Sequence, residues 1–315
     1  MPKKFKPIDL SRVKTYPLSQ RKSKVSTTDF GKTWQKGAGF TEFLDRLPDI
    51  LAGSHLKAVI SAIVTAFQKE KTIVFAMGAH IIKVGLTPIV IDLMERGIIT
   101  AVAMNGAGII HDLELAMVGQ TSEDVSASLG DGTFGMAHET GAFLCDAVSL
   151  AGKTSGGLGE TIGSAIIEKG LSYSEQSILA SGARLGIPVT VHVAFGTDIL
   201  HLHPGFDPNA AGEATHRDFR TFASVIGTLE GGVYLNVGSA VILPEVFLKA
   251  VTVTRNLGHP IHRFTTVNLD FIRHYRPMTN VVNRPTAGGG QGFNLTGHHE
   301  IMLPLIAAGV IEAVG

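Results

Sequence analysis

The chain has 315 residues, of which 44% are hydrophobic and 17% charged, and its formal net charge is zero at pH 7. This composition excludes a disordered chain, and the single cysteine, Cys145, excludes an internal disulfide. No uncharged apolar run reaches the roughly 20 residues that span a bilayer, so we expect a soluble, cytoplasmic protein with no membrane partner.

Basic residues concentrate at the N-terminus. Residues 1–26 hold eight of the 27 Lys and Arg side chains and one acid, Asp9, which leaves a net charge of −7 on the rest of the chain. We interpret residues 1–39 as a basic arm and residues 40–315 as one domain. Because an acidic domain repels phosphate, we expect no nucleic-acid partner. The arm is expected to be solvated, or to lie on its own or a neighbouring subunit.

Apolar spacing predicts helices that alternate with strands. Residues 40–69 have helical spacing, with breaks at Pro48 and Gly53, and a second helical stretch ends near Gly97. Four short runs are predicted strands, and the first of them is apolar on both faces, as in a buried parallel strand. These runs are residues 72–77, 101–104, 188–193 and 232–237. The order predicts a doubly wound, mostly parallel, Rossmann-like α/β sheet with helices on both faces and sites at the carboxyl ends of the strands.

Glycine-rich turns follow these strands. Neither Met77-Gly-Ala-His-Ile nor Asn105-Gly-Ala-Gly108 is a GxGxxG fingerprint, and the chain has no GK[ST] phosphate loop, which argues against a P-loop nucleotidase. Small residues at a helix N-terminus let backbone amides approach a phosphate. Tight packing of a strand against a helix needs the same glycines, so both interpretations stay open at this point.

Several blocks of sequence resemble deoxyhypusine synthase. They are Gly78-Ala-His-Ile-Ile-Lys-Val-Gly-Leu86, Ala103-Met-Asn-Gly-Ala-Gly-Ile-Ile-His-Asp-Leu113, Gly196-Thr-Asp-Ile-Leu-His-Leu-His203, Val267-Asn268 and Ile301-Met-Leu-Pro-Leu-Ile306. The resemblance runs from about residue 40 to residue 315. It implies a Rossmann-like sheet, bound NAD, and a homotetramer with active sites at subunit interfaces. It also implies transfer of an aminobutyl group from spermidine to a protein lysine or to putrescine.

The resemblance further implies a set of NAD contacts. One of two carboxylates, Asp112 and Asp198, would bind ribose hydroxyls and the other would face the nicotinamide, although a helix N-cap explains either of them without function. The sequence departs from the family at several of these positions, including the second turn and the late His298-His299 pair. The implied contacts are Gly78, Ala79, His80, Asn105, Gly106, Asp112, Asp198, Gly238, Ser239, Asn268 and His298.

The C-terminal quarter lacks the family's imine-forming lysine. The last lysine is Lys249, and residues 283–297 contain no Asp, Glu or Trp. A polyamine dication needs carboxylates to replace its hydration, whereas Arg273, Arg276 and Arg284 favour an anionic ligand. We therefore predict an NAD-binding enzyme that acts on a small substrate other than a polyamine through transient hydride transfer. A deoxyhypusine or homospermidine synthase-type aminobutyl transferase is an alternative.

Three residues are candidates for catalysis. Lys83 is a candidate phosphate contact, or an imine-forming amine if burial lowers its pKa, whereas the alternative is a surface lysine. Asp198 and His203 are expected to move protons. Cys145 has no basic neighbour in the sequence and is interpreted as a packing residue.

Two further functions remain open. An extended His201-x-His203 would place both rings on one side, which would suit a metal-dependent hydrolase, but the familiar zinc spacings are absent and we predict no metal. A non-catalytic NAD-binding scaffold is the other alternative. In each case we expect a homo-oligomer.

Overall fold

A computed structural model describes residues 3–315, so Met1 and Pro2 of the arm lie outside the described residues. Within this range six strands form one parallel sheet in the order β3-β2-β1-β4-β5-β6. The prediction of a doubly wound parallel α/β sheet is confirmed, and it missed β5 and β6. The strands are β1 Ile73–Met77, β2 Ala101–Asn105, β3 Val189–His192, β4 Val233–Val237, β5 Thr265–Asp270 and β6 Gln291–Thr296.

Helices cover both faces of the sheet. Successive side chains of β1 alternate between two cores: Phe75 packs in the core that includes α2 and α13, and Val74 packs in the core that includes α10 and α11. The helices are α1 Phe40–Arg46, α2 Leu51–Gln68, α3 His80–Lys83, α4 Thr87–Glu95, α5 Gly106–Val118, α6 Val125–Ser128, α7 His138–Lys153, α8 Leu158–Glu168, α9 Ile178–Leu185, α10 Pro208–Ile226, α11 Ile242–Asn256, α12 Tyr275–Pro277 and α13 His299–Val314.

In residues 3–315, α2 is the one helix whose length and apolar composition would suffice to cross a membrane. Its inner face is buried in the core, where Val59, Ile60 and Ile63 pack beside residues of α13. This is the position of an amphipathic helix in an α/β protein. The predicted break at Pro48 separates α1 from α2, whereas Gly53 lies inside α2.

The outer edge of β3 is closed by side chains of α10. The carboxylate of Asp218 accepts hydrogen bonds from the backbone amides of Val191 (2.9 Å) and Gly159 (3.0 Å). The hydroxyl of Thr215 accepts from the amide of Val193 and donates to the carbonyl of Val191. These bonds satisfy edge-strand groups that would otherwise be free to pair with another chain.

An amide ladder crosses the other half of the sheet. Asn236, Asn268 and Asn294 are in register on β4, β5 and β6. The Asn236 amide donates to Asn268 at 2.8 Å, and the Asn268 amide donates to Asn294 at 2.8 Å. Polar side chains are stable inside these strands because they pair with one another.

Candidate functional site

The strand order reverses between β1 and β4, and a doubly wound sheet opens a crevice at the carboxyl ends of such a pair. β1 leads into Gly78, Ala79 and His80, and β4 leads into Gly238 and Ser239. A Cβ atom on Gly78 would overlap the carbonyl oxygen of Gly238. The φ angle of Gly238 is 66°, in the left-handed region that favours glycine. Both glycines are therefore required by the close approach of the two turns, and together they form the floor of this crevice.

Four aromatic rings from three strand ends gather at the crevice. The His80 ring centroid lies 5.7 Å from Phe271 and 5.5 Å from His299. Phe271 also stacks on His298 with their planes 8° apart and their centroids separated by 6.2 Å. His80 follows β1, Phe271 follows β5, and the two adjacent histidines follow β6. We refer to His80, Phe271, His298 and His299 as the imidazole cluster.

His299 is fully buried and keeps one ring nitrogen free. Its Nε2 donates to the carbonyl of Leu269 at 3.3 Å, which fixes the tautomer, because a carbonyl can only accept. Its Nδ1 has no hydrogen-bond partner among the described residues. Burial lowers the pKa of His299, and nearby His80 lowers it further, against opposing effects of Leu269 and Asp270. The result is a neutral imidazole with an unused acceptor, an expensive state that is typical of functional sites.

The sequence prediction placed His298 at the site and did not include its neighbour His299. His298 is exposed and lies 3.8 Å from Glu300 through its Nδ1, whereas His299 is enclosed. The sequence shows that both histidines follow a strand, but not which of them faces the protein interior. That choice is set by the entry of the chain into α13.

Asp198 lies at the amino end of α5, beside the carboxyl end of β2. A Cβ atom on Gly106 would overlap the Asp198 carboxylate. Asp198 accepts a hydrogen bond from the amide of Ala194 at 2.8 Å and does not cap the turn that follows it. Burial raises the pKa of Asp198, against the Ala194 bond and the charge of His201. Asn105 caps α5 by accepting from the amide of Gly108.

Lys83 is exposed, contrary to the burial expected from its apolar neighbours. Its amine is open to solvent, so the buried environment expected for an imine-forming lysine is absent. Its charge nevertheless acts on His111: burial, and secondly Lys83, lowers the pKa of His111 to about 4. His111 Nδ1 is bonded to the hydroxyl of Thr121 at 2.7 Å.

Asp112 anchors a helix and does not face the crevice with a free carboxylate. It is fully buried and accepts hydrogen bonds from the Ser177 hydroxyl and from the amides of Ile178 and Leu179, at the amino end of α9. The alternative that we weighed for this residue, a capping role, agrees with these bonds. We therefore withdraw Asp112 from the expected cofactor contacts.

Asn268 and Ser239 are also engaged within the fold. Both ends of the Asn268 amide are used by the ladder across the sheet. The Ser239 hydroxyl accepts from the amide of Leu243 and so helps to begin α11. These bonds hold the turn after β4 and the neighbouring strands in place.

The two histidines of the proposed metal loop do not converge. Residues Ile199–Leu202 form a 3-10 turn, so the extended geometry assumed from the sequence is wrong. The His201 ring packs against Phe195 and Phe206, whereas His203 Nε2 donates to the carbonyl of Gly135 at 3.0 Å. Across residues 3–315 no three His, Cys, Asp or Glu side chains are placed to hold a metal ion.

The cationic C-terminal region is partly neutralised. Arg276 lies 3.5 Å from Glu245, and Arg284 donates to the side-chain oxygen of Asn280. Arg273 is exposed and has no ion-pair partner in residues 3–315, so it is the arginine of the three that stays free for a ligand. Cys145 is buried, and burial raises the pKa of its thiol, which agrees with a packing role.

Known proteins match this chain in fold alone. No protein-family model and no curated protein matches it. The apo structure of ArgZ, a cyanobacterial arginine dihydrolase, is 14% identical over 89% of this chain, with a TM-score of 0.51. AgrE in ternary complex with ornithine and NAD+ is 13% identical over 84% of this chain, with a TM-score of 0.52. This chain spans about a third of the length of each, namely 33% of ArgZ and 34% of AgrE.

A proposed LOR/SDH protein from Methanococcus maripaludis S2 gives a TM-score of 0.50 at 14% identity, covering 88% of this chain and 71% of that one. A proposed deoxyhypusine synthase from Entamoeba histolytica is 12% identical over 90% of this chain and 96% of that chain, with a TM-score of 0.49. The likenesses to ArgZ, AgrE and the LOR/SDH protein show a related fold. Membership of the deoxyhypusine synthase family stays a prediction from the sequence.

Proposed function

We propose that this protein is an NAD-binding enzyme that oxidises, and within the same cycle can reduce, a small substrate other than a polyamine. The observation that carries the proposal is the imidazole cluster at the β1/β4 reversal, with the free Nδ1 of buried His299 at its centre. Supporting it, AgrE, a solved structure of related fold, has been determined with NAD+.

The residues at the crevice fit a dinucleotide. The turn at Gly78, Ala79 and His80 and the backbone at Gly238 lie at the strand ends where a doubly wound sheet binds phosphate and ribose groups. Asn105 and Gly106 extend the same edge toward β2. NAD, when bound, supplies a hydride acceptor for a C–H bond beside nitrogen or oxygen.

The chain's own residues would handle the protons. His299 Nδ1 is a neutral acceptor at physiological pH, because its pKa is lowered and its Nε2–H is held by Leu269. In our proposal it accepts the proton of a substrate hydroxyl or amine, and His80 provides the route toward solvent. Their ring centroids are 5.5 Å apart in an edge-to-face arrangement, so the two imidazoles are in direct contact.

The remaining expected residues take supporting roles in this proposal. Asp198 would hold the amino end of α5 in place and accept hydrogen bonds from the ligand there. His203, which is bonded to Gly135, would fix the neighbouring loop. Lys83 and Arg273, both exposed, and His298 would meet negative charge on the ligand as it enters.

Calorimetric titration of the nucleotide-stripped full chain with NAD tests the proposal. We expect micromolar or tighter binding with one site per chain. The His80→Ala variant should weaken binding about tenfold. The control is His262→Ala, an exposed histidine just before the amino end of β5, at the opposite edge of the sheet, and it should bind as wild type does. Folded protein that releases no heat with NAD over a range of temperatures would overturn the proposal.

The alternatives make different predictions. An aminobutyl transferase cleaves spermidine, and borohydride would trap its imine on a lysine, which residues 250–315 do not contain. A non-catalytic scaffold binds NAD but forms no reduced nicotinamide with any member of a panel of small hydroxy and amino acids. Reduced nicotinamide formed from one member of that panel, and lost in His299→Leu, distinguishes our proposal from both.

A further inference from the structure

The first part of the basic arm makes no polar contact with the domain. Every hydrogen bond recorded for residues 3–26 is local, for example from the Val13 amide to Leu10 or between Ser11 and Asp9. Contact with the domain begins later, where the Asp49 amide donates to the carbonyl of Asp29 and Trp34 packs on Phe43. Residues 29–39 therefore dock on α1, and residues 3–26 form an extended segment, which we call the free arm.

The free arm exposes a series of apolar side chains, most of them two or three residues apart. Phe5 is 88% exposed, Ile8 is 83% exposed, and five further apolar side chains are each more than half exposed. Soluble proteins rarely leave such a series uncovered. The other exposed members are Leu10, Val13, Tyr16, Leu18 and Val25.

One surface of the domain is acidic, whereas the free arm is basic. Residues 119–150 contain five acids and no Lys or Arg. Within them, the connection from α5 to α7 and the outer face of α7 expose Leu129, Met136 and Leu150 beside Asp131 and Glu139. We call residues 119–150 the acidic face. The acidic face combines negative charge with exposed apolar side chains. The free arm combines positive charge with exposed apolar side chains.

We propose that the free arm of one chain binds the acidic face of a second copy of this chain. Charge complementarity selects this face: the arm brings eight basic residues against one acid, and residues 119–150 offer five acids against no Lys or Arg. Covering the apolar side chains of both segments supplies the affinity. An extended segment of this length reaches on the order of 75 Å, which is enough to cross a neighbouring domain. Reciprocal exchange of arms gives a closed, twofold assembly.

Charge reversal tests this arrangement in the full chain. The arm variant carries Arg12→Glu, Lys14→Glu, Arg21→Glu and Lys22→Glu, and the face variant carries Asp131→Lys, Glu139→Lys and Asp146→Lys. Wild type should have a mass of two or more chains by light scattering, and each variant alone should dissociate at least tenfold more readily. The control variant reverses three exposed acids elsewhere, Glu70→Lys, Glu213→Lys and Glu312→Lys, and should assemble as wild type does.

Mixing the two variants is the decisive measurement. In the mixed pair an acidic arm meets a basic face and a basic arm meets an acidic face, so assembly should return when the variants are combined. A monomeric wild type, or folded variants that do not recover on mixing, would overturn the proposal in favour of an arm lying on its own domain. Wild-type mass that falls on nuclease treatment would overturn it in favour of a nucleic-acid partner.

Discussion

Two buried carboxylates near β3 and a buried imidazole at the β1/β4 crevice use their bonding capacity in opposite ways. On the β3 side, Asp112 and Asp218 are buried and their carboxylates are occupied by backbone amides. At the β1/β4 crevice, His299 is equally buried, but its Nδ1 has no partner in the described residues, and neither has the side-chain oxygen of Asn236. A perturbed pKa is common to both regions, so it does not by itself mark the site.

The difference lies in unused bonding capacity. A buried carboxylate that accepts two or three amide bonds holds helices and strands together, and its removal leaves donors unsatisfied. A buried imidazole with a free nitrogen adds little to stability, and its bonding capacity is available to a ligand. Replacing members of each set should therefore separate effects on folding from effects on binding.

The largest loss of stability is expected from Asp218→Ala. It leaves the amides of Val191 and Gly159 unsatisfied in the interior, which costs about 3 to 4 kcal/mol of unfolding free energy. Urea denaturation measures the loss. Glu213→Ala, an exposed position on the same helix, is the control and should change stability by less than about 0.5 kcal/mol. Equal losses in both variants would show that the amides find other partners.

The pH dependence of stability should also reveal the burial of the Asp218 carboxyl group. Burial raises the pKa of Asp218 to about 7 from its ordinary 3.8, so the folded state keeps this proton longer than the unfolded state does. Stability is then highest below about pH 4 with respect to this group, and it falls as the pH rises toward 7. One pKa unit corresponds to about 1.4 kcal/mol, so a rise of about three units makes the loss on the order of 4 kcal/mol. Asp218→Asn should remove that slope from urea titrations repeated across this range, and an unchanged slope would assign it to other groups.

A smaller loss is expected from Asp112→Asn. The amide cannot accept from all three donors at the start of α9, which costs about 2 kcal/mol. NAD affinity, measured by calorimetry where the variant is folded, should stay within about twofold of wild type. Asp92→Asn, which breaks only a surface ion pair with Arg96, is the stability control. A large loss of NAD affinity would return Asp112 to the cofactor site.

Much of the fold could be predicted from the sequence because the central strands are mostly apolar. β1 to β4 are such strands, and the predicted runs begin or end within a residue or two of them. β5 and β6 escaped prediction because four of the six residues in each are polar or glycine, and Asn268 and Asn294 are paired only through neighbouring strands. Such pairing across strands has no signal within a single strand.

At the candidate site, the positions of the backbone turns could be predicted from the sequence, but the contacts of the side chains could not. The turns at Gly78 and Gly238 follow predicted strands, and both lie at the crevice. The side chains were less accessible to prediction, since Asp112 points to α9 and Asn268 is held in the amide ladder. His299 depended on the position of β6, a strand that the sequence did not reveal.

His299→Leu should show the smallest effect on stability, although His299 is as buried as the two carboxylates. The substitution loses the bond to Leu269 but also removes an unsatisfied nitrogen, and leucine fills a similar volume. We therefore expect the unfolding free energy to stay within about 1 kcal/mol of wild type. Urea denaturation beside Asp218→Ala makes the comparison direct. A loss as large as that of Asp218→Ala would mean that His299 supports the fold, and the proton-accepting role proposed for it would then pass to His80.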